Sequence, residues 1–179
     1  MSIQIQKIGI IGVGTMGAGI AQIAIQSGHD VILFDAKEGA AEQAQDKLAK
    51  TLNTLADKGK FSHEKAAEDI AHLSTAQQLE DLKDCDLIVE AIIENLDIKQ
   101  KLMQQLEGII KPEAILASNT SSLSISAIAA NCSQPERVAG YHFFNPVPLM
   151  KVVEVIEGFN TRADIIEALT QLSTKMGHR

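Results

Sequence analysis

The sequence predicts an α/β protein built on a doubly wound, mostly parallel sheet. Short apolar runs, typical of strands buried on both faces, alternate with helical patterns along the chain. The first run, residues 8–11, ends at Gly12 and is followed directly by a helical pattern. A second run, residues 31–34, ends on the acidic residue Asp35. Repeated strand–helix units of this kind favour parallel strands with helices on both sides of the sheet.

The turn between the first strand and the first helix has the spacing G-x-G-x-x-G. It is formed by Gly12, Val13, Gly14, Thr15, Met16 and Gly17. In a dinucleotide site these glycines make the tight turn, admit the pyrophosphate and let the helix pack closely on the strand. The free N–H groups at the helix N-terminus then bind the phosphates. Because the spacing also occurs in loops that bind no nucleotide, its position between a strand and a helix carries the prediction of a Rossmann-type dinucleotide site.

Asp35 indicates which dinucleotide binds. It lies 18 residues beyond Gly17, close to the ~20 expected for a carboxylate that binds the adenosine ribose. A carboxylate accepts hydrogen bonds from a free 2′-hydroxyl and repels a 2′-phosphate, which an arginine would bind instead. No arginine precedes Arg137. The predicted cofactor is therefore NAD and not NADP.

The segment after the second strand predicts two helices that form a protruding hairpin. Residues 38–57 have a buried stripe at helical spacing, formed by Leu48, Leu52 and Leu55. A polar stripe at similar spacing is formed by Lys47, Thr51, Thr54 and Lys58. The first helix ends at residues 57–60, and a second begins at Ser62 or His63 and runs to about residue 71. This hairpin is longer than a plain crossover between parallel strands requires.

The remaining elements continue the alternation. Strands are predicted at 86–92, 114–117, 138–143 and 151–156, with helices at 97–110, 124–130 and 161–176. The chain then stops at Arg179, directly after a helix, where the pattern predicts another strand. We therefore expect residues 1–179 to be one domain of a longer protein.

Composition excludes several classes of function. The formal net charge of −7 argues against nucleic acid and anionic membranes as partners. No apolar run approaches the ~18 residues of a membrane span, and residues 1–6 lack the basic region of a signal peptide. The two cysteines, Cys85 and Cys132, are expected to be reduced thiols of a cytoplasmic protein. No metal site is predicted.

Polar clusters follow several predicted strands, where ligands bind in open α/β sheets. Residues 94–99 and residues 118–122 are two such clusters. The spacing of the first favours a helix cap followed by solvent-exposed charges, whereas the second is either a turn with a helix cap or a set of hydroxyls that hydrogen-bond a substrate. The third contains His142, with Glu154 twelve residues later. If the chain reverses about Pro148, these two side chains face each other across an antiparallel pair. A carboxylate in that position would orient the imidazole and raise its basicity, as a general base requires.

Four segments together resemble the L-3-hydroxyacyl-CoA dehydrogenases. They are residues 12–21, 90–95, 117–123 and 140–146, and in order they span most of the chain. The resemblance implies oxidation of an L-3-hydroxyacyl-CoA to the 3-ketoacyl-CoA, with the C3 hydride passing to NAD. It also implies an all-helical C-terminal domain that completes the acyl pocket and forms a homodimer, and residues 1–179 do not include that domain.

The resemblance also implies roles for individual residues. His142 would be the catalytic base and Glu154 its partner, while Ser121 and Asn145 would contact substrate and nicotinamide. Further NAD contacts would come from Asp35, Glu94 and Lys99, and coenzyme A contacts from Thr51 and Lys58.

Two alternatives stay open at this point. One is another β-hydroxyacid dehydrogenase, although those enzymes use a catalytic lysine in place of a His–Glu pair. The other is a catalytically silent NAD-binding or structural domain. The acyl chain length is not determined, because the far wall of the acyl pocket lies outside the chain. Short-chain, fatty-acid β-oxidation and hydroxyadipyl-CoA substrates are all compatible with the sequence.

Overall fold

The computed structural model describes residues 2–179 as a seven-stranded sheet covered by helices on both faces. The strands are β1 Lys7–Ile11, β2 Asp30–Phe34, β3 Leu73–Thr75, β4 Leu87–Glu90, β5 Ile115–Ser118, β6 Val138–Phe143 and β7 Val153–Glu157. The helices are α1 Thr15–Gln26, α2 Ala40–Asp57, α3 His63–Ala71, α4 Leu96–Glu107, α5 Ile125–Ile128 and α6 Ala163–Lys175. Short 3₁₀ turns occupy Leu79–Leu82 and Pro135–Arg137.

The strand order is β3-β2-β1-β4-β5-β6-β7, and every neighbouring pair is parallel except β6 with β7. The predicted fold class, with its antiparallel return near the end of the chain, is confirmed. The order reverses between β1 and β4, which is where ligands bind in doubly wound sheets. The carboxyl ends of β1, β4, β5 and β6 meet at this edge.

Two apolar cores lie on opposite faces of the sheet. One packs α1, α2 and α6 against the strands, and the other packs α4 and α5. The predicted stripe on α2 lies in the first core, where Leu48 and Leu52 are buried and Leu55 is partly buried. Helices α2 and α3 pack against each other, and residues 57–60 in the turn between them are exposed.

The structure differs from the sequence-based elements at several places, and α4 and β4 both end earlier than predicted, at Glu107 and Glu90. Strand β3 was not predicted, because it has only three residues and follows α3 almost directly. Helix α5 is shorter than the predicted segment 124–130, with Ser124 as its N-cap. Strand β7 begins two residues later than predicted and ends at Glu157. Ser62 caps α3 by accepting a hydrogen bond from the backbone N–H of Lys65, which makes it the residue before the helix.

Candidate active site

The glycine-rich turn joins β1 to α1 with very little space around it. Gly12 has φ +93°, and a Cβ atom there would lie 2.6 Å from the carbonyl oxygen of Ala91. A Cβ atom on Gly17 would lie 1.8 Å from the carbonyl oxygen of Gly12. The helix can approach the strand this closely only because both residues are glycine. Its N-cap, Gly14, offers no side-chain acceptor and the first turn contains no acidic residue, so the helix N-terminus is suited to an anion.

Asp35 lies beside this turn at the end of β2. Its carboxylate accepts hydrogen bonds from the backbone N–H groups of Val13, at 3.0 Å, and Lys37, at 2.9 Å. The side chain also lines a cavity of about 270 Å³ between β2 and α2. The carboxylate of Asp35 is therefore held in place by two backbone N–H groups and keeps lone pairs that can accept hydrogen bonds from a ribose next to the glycine-rich turn. These contacts support its predicted role in binding the cofactor.

A second cavity, of about 350 Å³, opens at the carboxyl ends of β4, β5 and β6. We call it the catalytic cavity. It is lined by Met16, Ala91, Ile92, Glu94, Lys99, Asn119, Ser121, His142, Phe143, Phe144 and Asn145. Six of these residues were singled out from the sequence, and the structure brings them together from four separate segments, residues 12–17, 94–99, 118–122 and 140–146.

His142 and Glu154 form a hydrogen-bonded pair at the edge of this cavity. The two residues are register partners in the antiparallel pair β6–β7, and His142 Nδ1 lies 2.8 Å from Glu154 Oε1. The ring of Phe144 stacks obliquely on the imidazole with 4.6 Å between centroids. Since a carboxylate can only accept, Nδ1 carries a proton and Nε2 is the nitrogen with a free lone pair. The side chain of His142 is 17% exposed, against 55% for Glu154, so the imidazole is sheltered and the carboxylate is partly in water.

Side-chain hydrogen bonds hold the strand ends around the cavity in fixed positions. Asn119 Oδ1 accepts a hydrogen bond from the backbone N–H of Phe143 at 2.9 Å, which ties the end of β5 to the end of β6. Glu94 accepts hydrogen bonds from the hydroxyl of Thr120 and from the backbone N–H of Ser121, the latter at 3.4 Å. Asn119 was not assigned a role from the sequence, although it lies within the polar cluster that follows β5.

A buried ion pair lies beneath the cavity. The Lys99 ammonium donates hydrogen bonds to both carboxylate oxygens of Glu90, at 2.9 and 2.7 Å, and contacts the carbonyl oxygen of Ile92 at 3.3 Å. Lys99 is 1% exposed and Glu90 is fully buried, and the hydroxyl of Ser118 also donates to Glu90. Burial raises the pKa of Glu90, and the charge and hydrogen bonds of Lys99 oppose that shift.

This pairing changes how Lys99 can serve a cofactor. The resemblance implies a direct NAD contact, yet all of the polar contacts that the ammonium makes among residues 2–179 are with Glu90 and Ile92. Sequence reasoning did not connect Lys99 with Glu90, because the two lie nine residues apart on different elements.

Thr51 and Lys58 lie outside the catalytic cavity. Thr51 lines a separate groove between α1 and α2, and its hydroxyl donates to the carbonyl oxygen of Lys47 at 2.9 Å. Lys58 is exposed at the C-cap of α2. Asn145 lines both the groove and the catalytic cavity, so the two are neighbours.

The chain is similar to a known family of dehydrogenases. A family model described as "3-hydroxyacyl-CoA dehydrogenase, NAD binding domain" matches residues 7–179. A probable 3-hydroxybutyryl-CoA dehydrogenase of Deinococcus radiodurans is 46% identical over 174 residues, which cover 96% of this chain and 61% of that protein. A 3-hydroxyadipyl-CoA dehydrogenase of Escherichia coli is 42% identical over 177 residues, which cover 99% of this chain and 37% of that protein.

The crystal structure of a 3-hydroxybutyryl-CoA dehydrogenase from Escherichia coli superposes with a TM-score of 0.96 at 41% identity. The match covers 98% of this chain and 37% of that one. The chain thus spans less than two thirds of the length of these relatives, and the part it spans is their NAD-binding domain. The predicted cofactor, NAD, is confirmed by the family description. The chain belongs to the NAD-binding domain family of the 3-hydroxyacyl-CoA dehydrogenases.

Proposed function

We propose that the protein containing this chain oxidises the C3 hydroxyl of an L-3-hydroxyacyl-CoA and produces the 3-ketoacyl-CoA. The observation that carries the proposal is the His142–Glu154 pair, placed at a cavity that also borders α1 through Met16. A base and a dinucleotide-binding helix at one cavity are what a hydroxyl oxidation needs.

In this proposal His142 Nε2 takes the hydroxyl proton as the C3–H bond breaks. Glu154 stabilises the imidazolium that results and keeps the ring oriented. When bound, NAD⁺ accepts the hydride, which is chemistry that side chains do not supply. Ser121 and Asn145 line the same cavity and would position the substrate and the nicotinamide, with the Ser121 segment held by Glu94.

The Glu90–Lys99 pair would support the cofactor side of the cavity. Lys99 forms part of the cavity lining while Glu90 keeps its ammonium in place. A bound cofactor would then lie next to a Lys99 ammonium that is fixed in position and whose charge is largely neutralised by Glu90. The resident residues therefore fit NAD, with the helix N-terminus for its phosphates and Asp35 for its ribose.

The test is the reduction of acetoacetyl-CoA, measured as the decrease in NADH absorbance. We expect the protein to reduce acetoacetyl-CoA and, in the reverse direction, to oxidise the L but not the D enantiomer of 3-hydroxybutyryl-CoA. A protein that binds NADH but turns over neither substrate would be a catalytically silent NAD-binding domain. Turnover of simple β-hydroxyacids with no preference for the thioester would indicate another β-hydroxyacid dehydrogenase.

We also propose that an all-helical C-terminal domain follows this one in the full protein and forms a homodimer. The chain covers 61% of the Deinococcus relative, and the proposed domain would correspond to the rest of that protein's length.

Among residues 2–179 no helix has the length and apolarity to cross a membrane. A cytoplasmic location is part of the proposal.

Asp35→Ala is expected to weaken NAD binding and to reduce the discrimination against NADP. The carboxylate that would hold the ribose hydroxyls and repel a 2′-phosphate is then absent. Dissociation constants for NADH and NADPH, measured by fluorescence titration, check this. Asp46→Ala, an exposed aspartate on α2, is the control. Equal affinity of the unmutated protein for both cofactors would contradict the role of Asp35.

Lys58→Ala is expected to raise KM for the acyl-CoA substrate and leave NADH affinity unchanged. An exposed charge-assisted contact to a phosphate contributes on the order of 1–2 kcal/mol, or about five- to thirtyfold in KM. Among residues 2–179 the ammonium of Lys58 forms no ion pair that would compete. Lys50→Ala, at an exposed position on the same helix outside the polar stripe, is the matched control. An unchanged KM in Lys58→Ala would remove this residue from the coenzyme A site.

A further inference from the structure

Asn119 is fixed on the wall of the catalytic cavity, directly after the carboxyl end of β5. Its backbone N–H donates a hydrogen bond to the carbonyl oxygen of Glu90 at 2.9 Å. Its side-chain Oδ1 accepts a hydrogen bond from the backbone N–H of Phe143, also at 2.9 Å. The first contact ties the residue to β4 and the second ties it to β6. The side chain therefore cannot turn without breaking the connection between neighbouring strands.

The contact with Phe143 also decides which way the amide of Asn119 points. A backbone N–H can only donate, so the atom that faces it is the oxygen, and the other end of the amide is the NH2 group. Nδ2 makes no hydrogen bond with any residue from 2 to 179. It is not sealed in the core either, because the only buried side-chain nitrogen or oxygen without a partner in those residues is Arg137 Nε. The NH2 donors of Asn119 are thus open to the cavity that the residue lines.

His142 lines the same cavity and is the residue before Phe143. The hydrogen bond from Phe143 to Asn119 therefore fixes the backbone next to the imidazole, while Glu154 holds Nδ1 of the ring. A group that transfers protons and a fixed N–H donor on one cavity suit an oxygen atom that gains negative charge. Donors that are already in place need no reorientation as that charge develops.

We propose that Asn119 is a further catalytic residue, whose NH2 group donates a hydrogen bond to the C3 oxygen of the substrate. This inference rests on the proposed function. When the 3-keto form is reduced, C3 accepts the hydride of NADH and the C–O π electrons move to the oxygen, which then takes a proton from His142 Nε2. Asn119 stabilises the negative charge on that oxygen. Because this charge is largest in the transition state, the hydrogen bond raises kcat more than it lowers KM.

The test removes the NH2 group and keeps the oxygen. Asn119→Asp retains an acceptor for the N–H of Phe143 and, when ionised at neutral pH, has no donor. Loss of one such donor typically lowers kcat by about 10²–10³-fold, and we expect a loss of this size in acetoacetyl-CoA reduction by the enzyme containing this domain, with a smaller change in KM. Asn95→Asp is the matched control and should change neither constant. Asn95 Oδ1 also accepts a backbone N–H, from Ile98 at 3.0 Å, and the residue lies outside the cavity lining.

Lowering the pH should restore part of the rate that Asn119→Asp has lost. A protonated carboxyl group has one O–H donor to replace the N–H, and its carbonyl oxygen still accepts from Phe143. The kcat of the variant, divided by that of the unmutated enzyme at the same pH, should therefore rise as the pH falls. Asn119→Leu has neither a donor nor an acceptor and should show no such rise. A residue that only tied β5 to β6 would leave Asn119→Asp fully active at every pH.

An unchanged kcat in Asn119→Asp, or a loss that does not recover on acidification, would overturn the proposal. NADH affinity, measured by fluorescence titration, should be unchanged in both variants, which also shows that they are folded. A variant that bound NADH weakly but kept its kcat at saturating NADH would place the NH2 group on the nicotinamide, and would overturn the assignment to the C3 oxygen. Failure of the unmutated enzyme to reduce acetoacetyl-CoA would instead contradict the proposed function.

Discussion

Replacing His142 by alanine is expected to lower kcat by about 10²–10⁴-fold, the usual contribution of a general base. The hydroxyl proton must leave as the hydride leaves, and Nε2 of His142 is the free nitrogen of a ring whose Nδ1 is held by Glu154 at 2.8 Å. NADH affinity should be retained, because His142 lies near the carboxyl end of β6 while the cofactor phosphates would bind at the N-terminus of α1. Steady-state oxidation of L-3-hydroxybutyryl-CoA by the enzyme containing this domain is the measurement.

Glu154→Gln should keep the fold and lose much of the rate, since a neutral amide cannot stabilise the imidazolium. The double variant should be little slower than His142→Ala alone, because the two side chains act as one unit. His63→Ala is a matched control, as His63 forms a 2.7 Å pair with Asp57 on the exposed hairpin turn. Rate losses of the two single variants that multiply in the double variant would show that Glu154 does not act through His142.

Replacing Glu90 by glutamine is expected to lower the free energy of unfolding by about 3–5 kcal/mol, the range for breaking a buried ion pair from one side. The Lys99 ammonium, 1% exposed, would lose the carboxylate that accepts two of its hydrogen bonds. Urea denaturation at neutral pH measures the effect.

The double variant Glu90→Gln/Lys99→Met should recover much of this loss, because it leaves no unpaired charge in the interior. Lys101→Met, at an exposed position on the same helix, should change the stability by less than about 0.5 kcal/mol. A double variant that is as unstable as the sum of its two single variants would mean that Glu90 and Lys99 stabilise the domain independently of each other.

The sequence was sufficient to predict the parts of this domain that depend on local pattern. The spacing of Gly12 and Gly17 between a strand and a helix predicted the turn that the structure shows. The antiparallel return was predicted because His142 and Glu154 are equally distant from Pro148, and the register pairs those residues. Both inferences use short stretches of chain in which the conformation follows from glycine, proline and apolar alternation.

The parts that were not predicted depend on contacts between distant segments. Strand β3 owes its conformation to pairing with β2 and not to an apolar pattern of its own. Lys99 looked like an exposed helix lysine, since nothing in residues 94–99 shows that its ammonium is buried.

The antiparallel pair β6–β7 has a consequence for how activity could be lost. Glu154 belongs to β7, while the glycine-rich turn and Asp35 belong to strands on the other half of the sheet. Local opening of β7 would therefore separate the imidazole from its carboxylate and leave the nucleotide-binding half intact. Amide hydrogen exchange along Val153–Glu157 would measure how often β7 opens and the pair is broken. Fast exchange in β7 would indicate a population of molecules that can bind the cofactor but cannot catalyse the reaction.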